Sequence, residues 1–244
     1  MKTKVFLLGI AMISLCLIGC DNNNLPNGLI EVNGVTFSID EDAHTAKVMR
    51  KWGALYSGNI TIPSVVTKGN NNYFVKTIGQ NAFMGCTELE SINFEESSYF
   101  LTTIEESAFF GCSSLKSIEL PSSIVFIGTD AFRNCTNLTS VTLPANMGYK
   151  AIAMGMFSGC TSLKSISISR DIENIGQGAF QDCTSLETVY NDAEYPQNIS
   201  GGKVFEGVDL SKCTLYVQDR HIVISRYKEA DGWKEFGNIL GTIN

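Results

Sequence analysis

Histidine is almost missing from this sequence, and with it much of the usual material of catalysis. Two occur among 244 residues, His44 and His221, near opposite ends of the chain. No G-x-S-x-G, P-loop or H-E-x-x-H string is present, so nucleophile-elbow, nucleotide-cradling and zincin chemistry have no footing. The eight cysteines include no C-x2-C pair, which excludes the common zinc spacing. Asp40, Glu41 and Asp42 make one acidic cluster, but it follows an alternating strand pattern and reads as a solvated hairpin tip rather than a calcium site. Positive charge is scarce as well. With 18 Lys+Arg against 25 Asp+Glu the formal net charge is −7, and no basic cluster offers nucleic acid an electrostatic footprint. The expectation is a chain that is not an enzyme, with no metal, cofactor or nucleic-acid partner.

Long apolar runs are missing too. The longest, Val5 to Ile18, follows Lys2 and Lys4 and is broken by Gly9 and Ser14. It is too short to span a bilayer, for which about 20 residues are needed, and reads as the apolar part of a signal peptide. Its ending, Leu17-Ile18-Gly19-Cys20, resembles the lipobox of bacterial lipoproteins, which implies cleavage before Cys20 and acylation there. Removing Lys2 and Lys4 takes the net charge from −7 to −9. Two or three acyl chains, at about 0.8 kcal/mol per buried CH₂, anchor a protein stably where one does not. Asp21 to Gly28, DNNNLPNG, is a polar spacer able to hold a folded body off the lipid.

What the sequence has in abundance is repetition. Between Val75 and Pro196 one template recurs five times, L-x-x-I-x-L-(P)…I-x-x-I-G-x-x-A-F-x-x-C. Its phenylalanines are Phe83, Phe109, Phe132, Phe157 and Phe180, with Phe205 in an incomplete sixth copy, at intervals of 26, 23, 25, 23 and 25 residues. Cys86, Cys112, Cys135, Cys160 and Cys183 keep step. A period of 20–29 residues with this apolar core is the signature of a leucine-rich repeat solenoid. The expected fold is therefore β-rich within the α/β class, with stacked parallel strands, short helical turns on the other face, a β N-terminal cap and a helical C-terminal cap. The expected organisation is a lipoprotein signal peptide over 1–19 and a lipidated tether over 20–28. The N-terminal β cap covers 29–74, five repeats cover 75–196, and a partial repeat with the C-terminal cap covers 197–244.

Within each repeat, period-2 alternation turns Ile118 and Leu120 inward and Ser117 and Glu119 outward. The outward positions form two columns. Ser91, Ser117, Ser140, Ser165 and Thr188 make one; Asn93, Glu119, Thr142, Ser167 and Tyr190 make the other. Gly79, Gly128 and Gly176 suggest backbone that tolerates positive φ, although Glu105 and Ala153 hold the same place in two copies. The recurrent cysteines occupy apolar positions and read as buried free thiols; disulfides between adjacent rungs, within Cα reach at about 4.4–6.8 Å, are the alternative. The longer intervals carry insertions, EESSYF before Leu101 and PANMGYKA before Ile152. Insertions in solenoids collect on one surface, which makes Tyr99, Phe100 and Tyr149 candidate exposed aromatics, unless they fold back on the repeat edge.

The A-F-x-x-C-x-x-L-x-x-I-x-L-P spacing resembles the Treponema pallidum-type leucine-rich repeat of BspA-like bacterial surface proteins. The closing stretch FEGVDLSKCTLYVQDRHIVISRYKEADGWKEFGNIL resembles the terminal module of BspA-like proteins from Bacteroidales, with Gln218 where those carry Pro. The resemblance implies a lipid-anchored protein of the outer membrane or cell surface that adheres to host extracellular proteins or to other cell-surface proteins. The candidate ligand-binding residues are then Ser117, Glu119, Thr142, Ser167 and Tyr190 on the strands, and Tyr99, Phe100 and Tyr149 in the insertions. Two other functions fit the same residues, a structural envelope lipoprotein and a glycan-binding accessory to polysaccharide uptake.

Overall fold

The computed structural model of the protein describes residues 25–242 apart from 27, 97, 146, 200 and 201. The first strands, β1 (Leu29–Val32) and β2 (Val35–Asp40), form an antiparallel hairpin. Asn33 and Gly34 turn it with φ of 52° and 77°, the paired left-handed residues for which an Asn-Gly dipeptide is suited. β3 (Thr45–Val48) continues antiparallel to β2. After β4 (Gly58–Ile62), β5 (Val65–Lys68) folds back as a hairpin onto β6 (Asn71–Ile78). β6 then pairs parallel with β3, and the solenoid begins.

Each following turn lays down two strands. They are β7 (Leu89–Phe94) and β8 (Thr103–Ile104), β9 (Ser117–Glu119) and β10 (Phe126–Ile127), then β11 (Ser140–Thr142) and β12 (Ala151–Ile152). β13 (Ser165–Ile168) and β14 (Asn174–Ile175) follow, and β15 (Thr188–Asn191) opens the next turn. The main ladder is parallel wherever its strands pair, β4 with β7, β9 with β11, and β13 with β15. β16 (Thr214–Val217) and β17 (Asn238–Gly241) extend it, with α1 (His221–Glu229) between them in sequence. A shorter return ladder joins β3, β6, β8 and β10, and β12 with β14. Alternation decides which side chains enter: Ile92, Ile118, Val141, Ile166, Val189 and Leu215 are all buried.

The third side holds the Ala-Phe-x-x-Cys segments, which are tight turns rather than helix. They keep i→i+3 bonds, such as Cys86 N–H to the Phe83 carbonyl at 3.1 Å, but two left-handed residues flank each Phe and stop helical propagation. Two positions before it stand Asn81, Ser107, Asp130, Gly155, Gly178 and Lys203; two after stand Gly85, Gly111, Asn134, Gly159, Asp182 and Gly207. The backbone groups so released bond the next turn. Phe83 N–H donates to Ala108 O at 2.8 Å, Phe109 N–H to Ala131 O at 2.8 Å, and Gly85 N–H to Phe110 O at 2.7 Å. This face is thus a third hydrogen-bonded ladder, which satisfies groups that burial would otherwise strand.

The repeat glycines do not play the role expected of them. Gly79, Gly128 and Gly176 do not have positive φ. A Cβ on Gly128 would lie 2.6 Å from Glu106 N, one on Gly79 2.6 Å from Val48 O, and one on Gly176 against the backbone of Ala153 and Met154. These glycines let successive turns approach. The left-handed demand falls instead at the two positions around Phe, where Asn and Asp also serve.

The core runs the length of the stack as a column of rings. Phe83, Phe109, Phe132, Phe157, Phe180 and Phe205 stack at 5.1, 5.2, 5.6, 5.7 and 5.3 Å, with planes within 11°. Those separations exceed the strand spacing of about 4.7–4.9 Å, as offset stacking requires. Tyr56 closes the column at one end, 4.7 Å from Phe83. Trp233 and Phe236 close it at the other, edge-on to Phe205 at 5.8 and 5.5 Å. Beside the rings run the cysteines, all six described ones free and buried. Each of Cys112, Cys135, Cys160 and Cys183 donates its Sγ–H to the Phe carbonyl of the preceding turn, at 3.1–3.2 Å. The thiol therefore does more than fill space.

Candidate functional site

The outward side of the main ladder is where the sequence places most of its candidates, and within each set of paired strands the register aligns them. Ser117 pairs with Ser140 and Glu119 with Thr142. Further along, Ser165 leads to Thr188, Thr214 and Asn238, while Ser167 leads to Tyr190, Tyr216 and Leu240. Ser117, Glu119, Thr142, Ser167 and Tyr190 are all exposed. Tyr190 and Tyr216 stack at 5.2 Å with planes 15° apart. Tyr216 escapes a reading by repeats because its rung has left the Phe/Cys template. The available signal is alternation: Thr214-Leu215-Tyr216-Val217 matches Thr188-Val189-Tyr190-Asn191 position by position.

The first insertion adds relief to this surface. Glu95 accepts from Ser64 N–H at 2.9 Å and Ser64 Oγ–H at 3.1 Å, while Ser123 Oγ–H donates to Ser98 O and Leu101 O at 3.0 and 2.7 Å. The loop is thereby tied to turns on both sides. It walls an open cleft of about 580 Å³ lined by Asn93, Glu96, Tyr99, Ser117, Glu119 and Ser123, among others. Tyr99 is 75% exposed at its edge.

The other two insertion aromatics belong elsewhere. Phe100 lies 4.2 Å from Phe74 of β6, and Tyr149 stands edge-on to Phe126 of β10 at 5.0 Å. Both therefore sit on the return ladder, with Val125 exposed beside them. The eight candidates are split between two faces, six on the main-ladder side and two on the return side. Cys20 and the segment expected to be a signal peptide lie outside the described residues.

Titratable groups are spread rather than gathered. Among the described residues no group of three or more His, Cys, Asp or Glu is placed to hold a metal ion. His44 is engaged with Glu41 O at 2.7 Å, in the turn between β2 and β3, and His221 opens α1 at the far end. Within the acidic turn, Glu41 pairs with Lys68 at 2.7 Å, and that hydrogen-bonded ammonium holds its carboxyl below the usual range. Burial pushes the Cys86 thiol up to about 11 and the Cys183 thiol up to about 12, so these core thiols stay protonated and unreactive.

Residues 76–210 match the BspA type leucine rich repeat region in six copies. The chain belongs to the BspA-type leucine-rich repeat family. Among solved structures it is similar to the T. pallidum leucine-rich repeat protein at 22% identity, over 84% of this chain and 82% of that one, with a TM-score of 0.59. A leucine-rich repeat protein from Eubacterium ventriosum is 20% identical over 92% of this chain, which spans about half (52%) of that protein, with a TM-score of 0.56. The pneumococcal vaccine antigen PcpA is 16% identical over 88% of this chain and 66% of its own, with a TM-score of 0.51. At these identities the likeness is one of fold. No curated protein sequence matches the chain. Family and fold are those of a protein-interaction scaffold. Among the described residues no helix is long and apolar enough to cross a membrane.

Proposed function

We propose that this BspA-type protein is a non-enzymatic binding protein at the bacterial cell surface, anchored through acyl chains on Cys20 and engaging a protein of the host or of another cell. The observation that carries the reading is the main-ladder surface, whose outward columns run over successive parallel strand pairs and hold hydroxyls, one carboxylate and the Tyr190–Tyr216 stack. Rigid aromatics bind with little ordering entropy and commonly dominate interface energetics. With Glu119 the sole charge in those two columns from Ser117 to Tyr216, binding depends weakly on salt.

The test is capture from host extracellular protein by the soluble form beginning at Asp21, followed by affinity measurement on variants. Tyr190→Ala with Tyr216→Ala is expected to weaken binding of the captured protein at least tenfold, which corresponds to about 1.4 kcal/mol. Unchanged affinity in the double variant removes the main ladder as the binding surface. Protease accessibility on intact cells separates the surface reading from an inward-facing structural envelope lipoprotein, which stays protected. A second reading, glycan binding, draws support from the cleft at Tyr99, where one exposed ring stands beside hydroxyl, amide and carboxylate groups. A glycan array on wild type and Tyr99→Ala tests it; no binding to any glycan ends it.

A further inference from the structure

We propose that the loop between β3 and β4, residues 49–57, is a second contact with the bilayer, working beside the acyl anchor; the inference rests on the anchored reading given above. The loop holds two large apolar side chains out in solvent, Trp52 at 61% and Leu55 at 45% exposure. Arg50 is exposed next to them, and Lys51 holds its Nζ 5.8 Å from the centre of the Tyr56 ring. This exposure is built rather than loose. Tyr56 is buried, and its hydroxyl accepts from Thr36 N–H and donates to Met49 O, each at 2.9 Å. The base of the loop is thus pinned at both sides while its tip projects. The chain's other tryptophan, Trp233, shows the contrast, fully buried with its Nε1–H on Gln197 O at 2.8 Å.

Position decides the occupant. Tyr56 closes the N-terminal end of the ring column, so the loop lies at that end of the stack. Its contact with Thr36 places it on β2, whose hairpin partner β1 receives the tether. Residues 20–28 extend at most about 3.3–3.6 Å each, roughly 30 Å in all. An acylated Cys20 therefore keeps this end of the molecule within that distance of lipid, and the tether raises the local concentration of membrane around the loop. Tryptophan and leucine favour the interfacial zone, and neighbouring cations favour anionic headgroups. Glu31 of β1 pairs with Thr36, which holds the Tyr56 hydroxyl, and brings a negative charge to this end, so the apolar pair rather than net charge carries the contact. The consequence is orientation: the solenoid stands on its N-terminal end and turns its ladders outward.

The experiment uses the mature chain, Cys20 to Asn244, coupled through the Cys20 thiol to vesicles of phosphatidylcholine and phosphatidylglycerol carrying maleimide headgroups; the six core thiols are buried and do not compete. Brominated lipid chains are expected to quench Trp52 emission, which shifts to shorter wavelength and becomes shielded from aqueous iodide. Trp52→Ala, leaving only Trp233, abolishes the response, and Leu55→Ser weakens it. Equal iodide access to Trp52 with and without vesicles overturns the proposal. So does the same spectral shift when uncoupled protein is concentrated without lipid, which makes a second copy the occupant. Because coupling is done in vitro, neither result depends on acylation in cells. That reading is checked separately by the intact mass of the membrane-extracted protein.

Discussion

The residues that recur most faithfully are those with the least freedom to do anything but pack. Phe132 sits mid-column between Phe109 and Phe157, fully buried, so Phe132→Ala removes ring contacts on both sides and is expected to cost about 3–5 kcal/mol. A thermal melt within error of wild type contradicts this placement. The cysteines add a pH dependence whose sign can be worked out. Burial raises the thiols of Cys86, Cys135, Cys160, Cys183 and Cys213 above their ordinary value, while in the unfolded chain they ionise at about pH 8.5. The native state therefore binds more protons than the unfolded state at alkaline pH, and stability, full below about pH 8.5, falls as pH rises through the shifted values. Each affected thiol steepens the slope by at most about 1.4 kcal/mol per pH unit. Urea titrations of the form beginning at Asp21, from mildly to strongly alkaline pH, should show the decline, and Cys160→Ala should flatten it. A thiol reagent at mildly alkaline pH should label none of the six core cysteines in the native protein and all of them after denaturation without reductant.

The elements show why part of this fold was legible and part was not. Strands on the main ladder follow from period-2 alternation, and their stacking follows from the repeat interval, because both are carried by which residues are apolar. The conformation of the Phe segments is not. Alanine, phenylalanine and cysteine at that spacing suit a helical turn as well as a pair of left-handed residues, and the hint of the latter lay in the flanks, in Asn81, Asp130, Asn134 and Asp182 and in glycines such as Gly85, Gly111 and Gly159. The glycine column misled for a related reason, since a sequence does not distinguish a glycine needed for φ from one needed for clearance. A paired substitution separates the two. Gly128→Ala drives a Cβ into the Glu105–Glu106 backbone and is expected to cost about 1–3 kcal/mol by forcing turns apart. Gly85 has φ of 72°, and nothing lies within 4 Å of where its Cβ would stand. Gly85→Asn therefore costs little, while Gly85→Val costs about 1–2 kcal/mol. Equal losses for Gly128→Ala and Gly85→Asn in chemical denaturation count against the distinction. The proposed binding surface was legible to the same degree as the strands. Its outward columns could be read, but the path each insertion takes between the faces could not, and that path leaves Tyr99 on one face and Phe100 and Tyr149 on the other.

At the scale of the whole molecule the chain behaves as a one-dimensional stack, in which each turn is buried by its neighbours and only the ends need special residues. The ends are closed by different means. Tyr56 covers one with a single ring held by two hydrogen bonds; α1, Trp233 and Phe236 cover the other, where Trp233 also meets Tyr227 at 5.4 Å. A stack of this kind predicts that damage to one cap stays near it. Trp233→Ala opens a cavity over Phe205 and unpins Gln197, so the cost of about 3–5 kcal/mol expected for a buried tryptophan should appear as local unfolding rather than as uniform weakening. In native-state hydrogen exchange, amides of β16, β17 and α1 are expected to lose most of their protection, those of β15 less, and those of β6, β8 and β10 none. Protection lost evenly along all three ladders would mean that the stack unfolds as a single cooperative unit. The caps would then stabilise every turn, and the proposed binding surface from β9 to β16 would depend on the C-terminal end staying closed.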